Sequence, residues 1–81
     1  MIKVLFFASL AEQLSCAELV WTQPVGDVAE LRQQLAVQGD AWQILLDHSQ
    51  VWVAVQQQMA TERTQLELGN EVAFFPPVTG G

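Results

Sequence analysis

The chain has 81 residues, 51% of them hydrophobic and only 15% charged. That suits one domain with a real core and excludes the charge-rich, apolar-poor profile of a disordered chain. Nine acids against three bases (Lys3, Arg32 and Arg63) give a net charge of −6, which argues against nucleic-acid binding, where clustered Lys and Arg are needed for phosphate contacts. The acidity reads first as solubility and second as steering toward a basic partner surface.

Met1 is followed by a short apolar run, Ile2 to Ala8, too short to span a bilayer and without the full layout of a signal peptide. The single cysteine, Cys16, cannot form an internal disulfide. A reducing compartment is the expectation, cytoplasmic by default, with no membrane partner.

Ile2 to Ala8 reads as a buried central strand, although periodicity alone does not separate it from a helix segment. Leu10 to Leu14 suits a short helix with Ser9 as its N-cap. Glu18 to Thr22 reads as a second strand, antiparallel to the first and broken by Pro24 and Gly26. The clearest helix follows. Asp27 and Glu30 have capping-box spacing, and Val28, Leu31 and Leu35 form one apolar stripe. Gly39 suits the left-handed position that ends a helix. Asp40 can cap a second short helix, with Trp42, Leu45 and Leu46 supplying apolar contacts.

Val51 to Val55 reads as a strand, and Gln56 to Gln58 as a polar strand end or turn. Thr61 to Leu68 has no clear period; Leu66 and Leu68 alternate, and Gly69-Asn70 makes a turn. Glu71 to Phe75 is the last strand, with Val72 and Phe74 on one face and Ala73 and Phe75 on the other. Two hairpin-like halves around one long helix give an α+β fold of β-grasp (ubiquitin-like) layout, a mixed sheet packed on one main helix. The first and last strands would then lie parallel at the sheet centre.

Conventional catalytic sets are nearly absent. His48 lies in a polar stretch and reads as a solvated turn residue, and Cys16 reads as a small space-filler. No repeated ligand spacing suggests a metal, and no glycine motif suggests a bound phosphate. Of Trp21, Trp42 and Trp52, at least two read as packing residues, without the sequence choosing which, and a ligand pocket or partner surface is the other option. What remains is the ending, Phe74-Phe75-Pro76-Pro77-Val78-Thr79-Gly80-Gly81. Pro76 and Pro77 cannot extend the sheet and favour an extended, projecting chain. Gly80 and Gly81 can thread a narrow channel, and the α-carboxylate of Gly81 is an unbranched handle for activation with ATP and conversion to a thiocarboxylate. A frayed end is the bland alternative.

The opening Ile2-Lys3-Val4-Leu5-Phe6-Phe7-Ala8, the helix Val28-Ala29-Glu30-Leu31-Arg32, and Leu68 to Gly81 together resemble the small subunits of molybdopterin synthase, a family of ubiquitin-like sulfur carriers. The resemblance runs from end to end, and the Phe-Phe-Pro-Pro-Val-Thr-Gly-Gly ending is its most specific part. It implies that Gly81 is adenylated by an E1-like enzyme, acquires sulfur from a donor enzyme, and delivers it to cyclic pyranopterin monophosphate. By the same resemblance, Phe75 and its apolar neighbours dock on both partners, while Pro76, Pro77, Val78, Thr79 and Gly80 enter the large subunit's site. ATP would be used by the activating enzyme, with no cofactor or metal bound by this chain. The chain would have no activity alone. A thiamine-type carrier and a non-catalytic ubiquitin-like binding module are the alternatives. Departures from the family pattern are Ala11 for arginine, Cys16 for glycine, Gln56 for asparagine and Asn70 for aspartate. The segment Thr79 to Gly81 is expected to be mobile alone and ordered in a partner.

Overall fold

The computed structural model describes residues 1–77. The elements are β1 (Ile2–Phe6), α1 (Ser9–Leu14), β2 (Glu18–Trp21), α2 (Val28–Ala36), a 3-10 helix (Asp40–Leu46), β3 (Trp52–Val55), β4 (Gln58–Met59) and β5 (Glu71–Phe75). They form one five-stranded sheet in the order β2-β1-β5-β3-β4. β1 and β5 are parallel, with Phe6 opposite Phe74, and the other pairs are antiparallel. This is the β-grasp arrangement expected from the pattern, including the parallel central pair.

One sheet face carries Val4, Phe6, Val72 and Phe74, each at most 2% exposed. The α2 stripe of Val28, Leu31 and Leu35 belongs to the same buried cluster. Each such side chain contributes about 1.5–3 kcal/mol when fully buried. Phe6 links two layers of this core: its ring stacks near Phe74 at 5.9 Å and meets Trp42 edge-on at 5.4 Å.

The start of α2 shows what residues 61–68 do. A helix leaves its first four N–H groups without internal partners. Here Val28 and Ala29 donate to the carbonyls of Thr64 (3.2 Å) and Glu62 (3.0 Å), and Glu30 donates to Asp27 Oδ1 (2.9 Å). The irregular stretch is therefore moulded to the helix end, held further by the isolated bridge Asp27–Gln65 and by Leu66 N–H donating to Gly26 O. Leu66 is buried while Leu68 is exposed.

One charge lies inside the fold. Arg32, on the α2 face between Val28 and Leu35, is only 2% exposed. Its Nη1 donates to Leu45 O at 2.7 Å, its Nε–H points at Glu62 Oε2 (3.1 Å), and its Cζ lies 5.3 Å from the Phe74 ring centroid. Glu62 Oε1 is closer to Nε, at 2.9 Å, but accepts no hydrogen bond there. The guanidinium thus joins α2, the 3-10 helix, residue 62 and β5.

Several local expectations are corrected. Ser9 is the first residue of α1 rather than its cap; Ala8 precedes it at φ 55°, with no side-chain cap bond. The helix start is set instead by a backbone turn, Leu10 N–H donating to Phe7 O at 3.2 Å. Gly39 is extended (φ 168°), not left-handed, and α2 already ends at Ala36 with a right-handed Val37. Asp40 makes no capping bond. In a 3-10 helix residues i and i+3 share a side, so Trp42 and Leu45 face the core together while Leu46 is 47% exposed. Gln56 and Gln57 form the expected turn, with φ of 53° and 65°, a conformation usually marked by Asn-Gly, but Gln58 already belongs to the short strand β4, which the glutamine run does not signal.

Two stability outcomes follow. Arg32→Met leaves the Glu62 carboxylate without its buried partner and is expected to lower unfolding free energy by about 3 kcal/mol, read from urea titration. The double variant with Glu62→Gln should recover part of that loss. Gln57→Gly removes left-handed strain from the β3–β4 turn and should raise the urea midpoint, by about 1 kcal/mol in stability.

Candidate functional site

Alternation along the strands sends the remaining side chains to the second sheet face. Lys3 and Leu5 of β1, Ala73 and Phe75 of β5, and Trp52 and Ala54 of β3 lie there, with Met59 opposite Ala54. Phe7 is 48% exposed, Trp52 37%, Val20 56% and Met59 64%, so this face is open. Its charges sit at one end: Lys3 and Glu18 approach to 3.6 Å, and Glu71 opposes Lys3 across β1–β5. Both members of that ion pair are well exposed, so it contributes little to stability.

The other end is aromatic. Phe75 closes β5 opposite Trp52, the two rings edge-on with centroids 6.5 Å apart. Phe7 follows β1 on the same side, its N–H donating to Phe74 O at 3.1 Å. Pro76 and Pro77 come next, half-buried and outside any strand, as their missing N–H groups require. Phe75, Pro76 and Pro77 are therefore brought together at the apolar end of an open face. Val78, Thr79, Gly80 and Gly81 lie outside the described residues.

The remaining polar residues supply no reaction centre. His48 is exposed at the head of the β3 approach, its Nε2 3.4 Å from Glu62 Oε1. Beside it, Ser49 donates to Asp47 Oδ1 from its hydroxyl (2.6 Å) and its backbone N–H (3.0 Å), holding the Asp47 carboxyl below the usual range. Cys16 packs partly against the core with Sγ 3.4 Å from Glu18 O, the space-filling role expected of it. Among the described residues no group of three His, Cys, Asp or Glu side chains is placed to hold a metal, and no helix is long and apolar enough to cross a membrane.

The family departures are accommodated locally. Gln56 keeps its left-handed turn and accepts from Glu71 N–H, while Asn70 Oδ1 accepts from Glu67 N–H at 2.8 Å. Next to Cys16 it is Ser15 that adopts the left-handed conformation (φ 51°). Ala11 packs partly buried against the core. Of the three tryptophans, Trp21 and Trp42 pack against the core as expected, and Trp52 lines the open face. The exposure of Phe7 and Met59 on this face was not read from the sequence, whereas a partner surface was one of the two options for Trp52. The period-two pattern that places Phe75 opposite the core could have identified Trp52 as well.

Comparison with known proteins agrees with this geometry. The ThiS family model matches residues 4–81. The molybdopterin synthase sulfur carrier subunit of Escherichia coli (strain K12) is 42% identical over 81 residues, all of both chains. A solved structure of a putative molybdopterin converting factor subunit 1 from Pyrococcus furiosus superposes with a TM-score of 0.80 at 22% identity, over 95% of this chain and 97% of that one. A chain from the complex of subunits 1 and 2 of the molybdopterin-converting factor of Helicobacter pylori gives a TM-score of 0.68 at 23% identity, over 99% of this chain and 97% of that one. The chain belongs to the ThiS family, among the relatives of the molybdopterin synthase sulfur carrier subunits.

Proposed function

We propose that this protein is the sulfur carrier subunit of molybdopterin synthase and that the sulfur travels on the carboxyl group of Gly81. The full-length likeness to the Escherichia coli carrier carries the reading. The placement of Phe75, Pro76 and Pro77 at the end of a central strand supports it, because a rigid sheet then fixes where the reactive segment begins.

The chemistry has three steps. The Gly81 carboxylate attacks the α-phosphorus of ATP in an E1-like enzyme, releasing pyrophosphate and leaving an acyl-adenylate. Hydrosulfide-level sulfur released by a donor enzyme attacks the acyl carbon and expels AMP, leaving a thiocarboxylate. In the large subunit that sulfur attacks a carbon of cyclic pyranopterin monophosphate, a carbon–oxygen bond there breaks with departure of the oxygen, and water then cleaves the acyl–sulfur bond and restores the carboxylate. A dithiolene holds two sulfurs, so two loaded carriers are consumed for each product. This chain's own part is to dock, to present the acyl group and to keep bulk away from it. The glycine pair has no side chain to obstruct the partner's channel.

The open face serves the docking. Leu5, Phe7, Ala73, Phe75 and Trp52 form an apolar patch, bordered at Leu5 by Glu18, with the apolar centre and polar edge typical of an interface. The large subunit is the partner this reading assigns to it, in line with the two-subunit Helicobacter pylori complex. The activating enzyme would use the same face at a different step, in the ATP-containing, reducing cytoplasm.

Incubation with ATP, an E1-like activating enzyme and a sulfur donor is expected to raise the intact mass by sulfur minus oxygen, within the C-terminal peptide and only with ATP present. No gain with an enzyme shown to load another carrier would leave the binding-module reading ahead. Adding one alanine after Gly81 should abolish loading without changing the melting temperature, whereas a non-catalytic module would tolerate it.

A further inference from the structure

The last strand loses its neighbours where the C-terminal segment begins. On the β1 side the register runs out at Phe6 opposite Phe74, and the Phe7 N–H, donating to Phe74 O at 3.1 Å, reaches one residue further. Ala8 then turns the chain into α1 at φ 55°. On the β3 side the ladder extends to Trp52 opposite Phe75. Gln56 N–H donates to Glu71 O at 2.9 Å, and hydrogen-bonded pairs recur at every second residue of an antiparallel ladder, so Trp52 and Phe75 form the last such pair. Pro76 and Pro77 follow with no N–H to offer either neighbour. Side chains therefore decide how firmly the root of the segment is held. Phe75 meets the Trp52 ring edge-on, with centroids 6.5 Å apart. Trp52 itself is 37% exposed and stands outside the buried cluster, so the inner face does not depend on it.

We propose that Trp52 is a positioning residue for the C-terminal segment. Its ring braces Phe75, and this fixes the direction in which Pro76 and Pro77 leave the sheet before any partner arrives. The inference rests on the carrier role proposed above and names the residue that serves its delivery step. Orientation already held in the free chain need not be supplied when the partner binds or when the acyl group reacts. The prolines pass that orientation on, because a fixed φ at each leaves few bonds about which the root can swing. An aliphatic residue opposite Phe75 would cover similar area without the edge-to-face preference that sets one ring against the other.

The test uses the full-length chain. Carbon relaxation at Pro76 Cα is expected to give an order parameter of about 0.85 in the parent and below about 0.6 in Trp52→Ala, with Val72 and Phe74 unchanged. Trp52→Phe should restore most of the order. In loading by an E1-like enzyme with ATP and a sulfur donor, Trp52→Ala should lower kcat/KM about fivefold, and Trp52→Phe should recover most of the loss. Should Trp52→Ala fail to fold, Trp52→Leu takes its place, with the same fall expected at Pro76. A Pro76 equally ordered in variant and parent, or already mobile in the parent, would overturn the proposal. Equal loading of Trp52→Ala and the parent would overturn it too. Failure of the parent to load at all would remove the carrier reading and the delivery role with it, a result separate from the order parameters, which judge the brace alone.

Discussion

A guanidinium buried in a domain of this size needs partners, and Arg32 has them in Leu45 O, Glu62 and the Phe74 ring. Its hydrogen bonds reach the 3-10 helix through Leu45 O and the irregular stretch through Glu62, and its face lies against Phe74 in the central strand. Desolvating such a charge costs several kcal/mol, so the pair adds little net stability. It contributes uniqueness of arrangement instead. Any alternative packing of α2 on the sheet would strand either the guanidinium or the carboxylate, a penalty that apolar contacts alone would not impose.

That constraint bears on the site because Phe74 and Phe75 are successive residues facing opposite ways. Phe74 is fixed in the core by Phe6 and Arg32, and the pleat then sets the direction of Phe75. The inner face holds the fold, and the outer face is left uncovered. An open apolar face is a liability for a free protein, and its charged end and the net charge of −6 favour solubility against that. With so small a core, a separate pocket for chemistry is hard to build. A carrier of the proposed kind, its chemistry placed at the terminus, would not need one.

Most of the architecture was legible because hydrophobic period and capping chemistry agree. Val28, Leu31 and Leu35 mark the helix, Asp27 marks its start, and Val72 and Phe74 mark the inner face of the last strand. What escaped was decided by tertiary contacts or by unusual backbone. Glutamines at φ above 50° form the expected turn, but strand β4 beyond it went unsignalled, because no Asn or Gly advertised a hairpin. Gly39 looked like a helix stop but serves as an extended link, since α2 closes three residues earlier. Arg32 sits four positions after Val28 and three before Leu35, so its place on the buried face was visible in the spacing. Its charge obscured it, because the partners that make burial tolerable, Leu45 O and Glu62, are distant in sequence. The C-terminal motif was read from the residues and the resemblance; within the described residues, the strand ends at Phe75 and Pro76 and Pro77 follow outside it, as their chemistry requires.

The central claim is that sulfur leaves Gly81 for a pterin precursor. It is tested most directly by a single turnover: carrier loaded as thiocarboxylate, mixed with the large subunit and cyclic pyranopterin monophosphate, and followed by mass spectrometry of both protein and product. The account predicts that the carrier returns to its carboxylate mass as sulfur appears in the pterin, two carriers spent for each dithiolene. A carrier that stays loaded with that acceptor, yet discharges to a thiazole precursor with the thiamine-pathway enzyme, would contradict it.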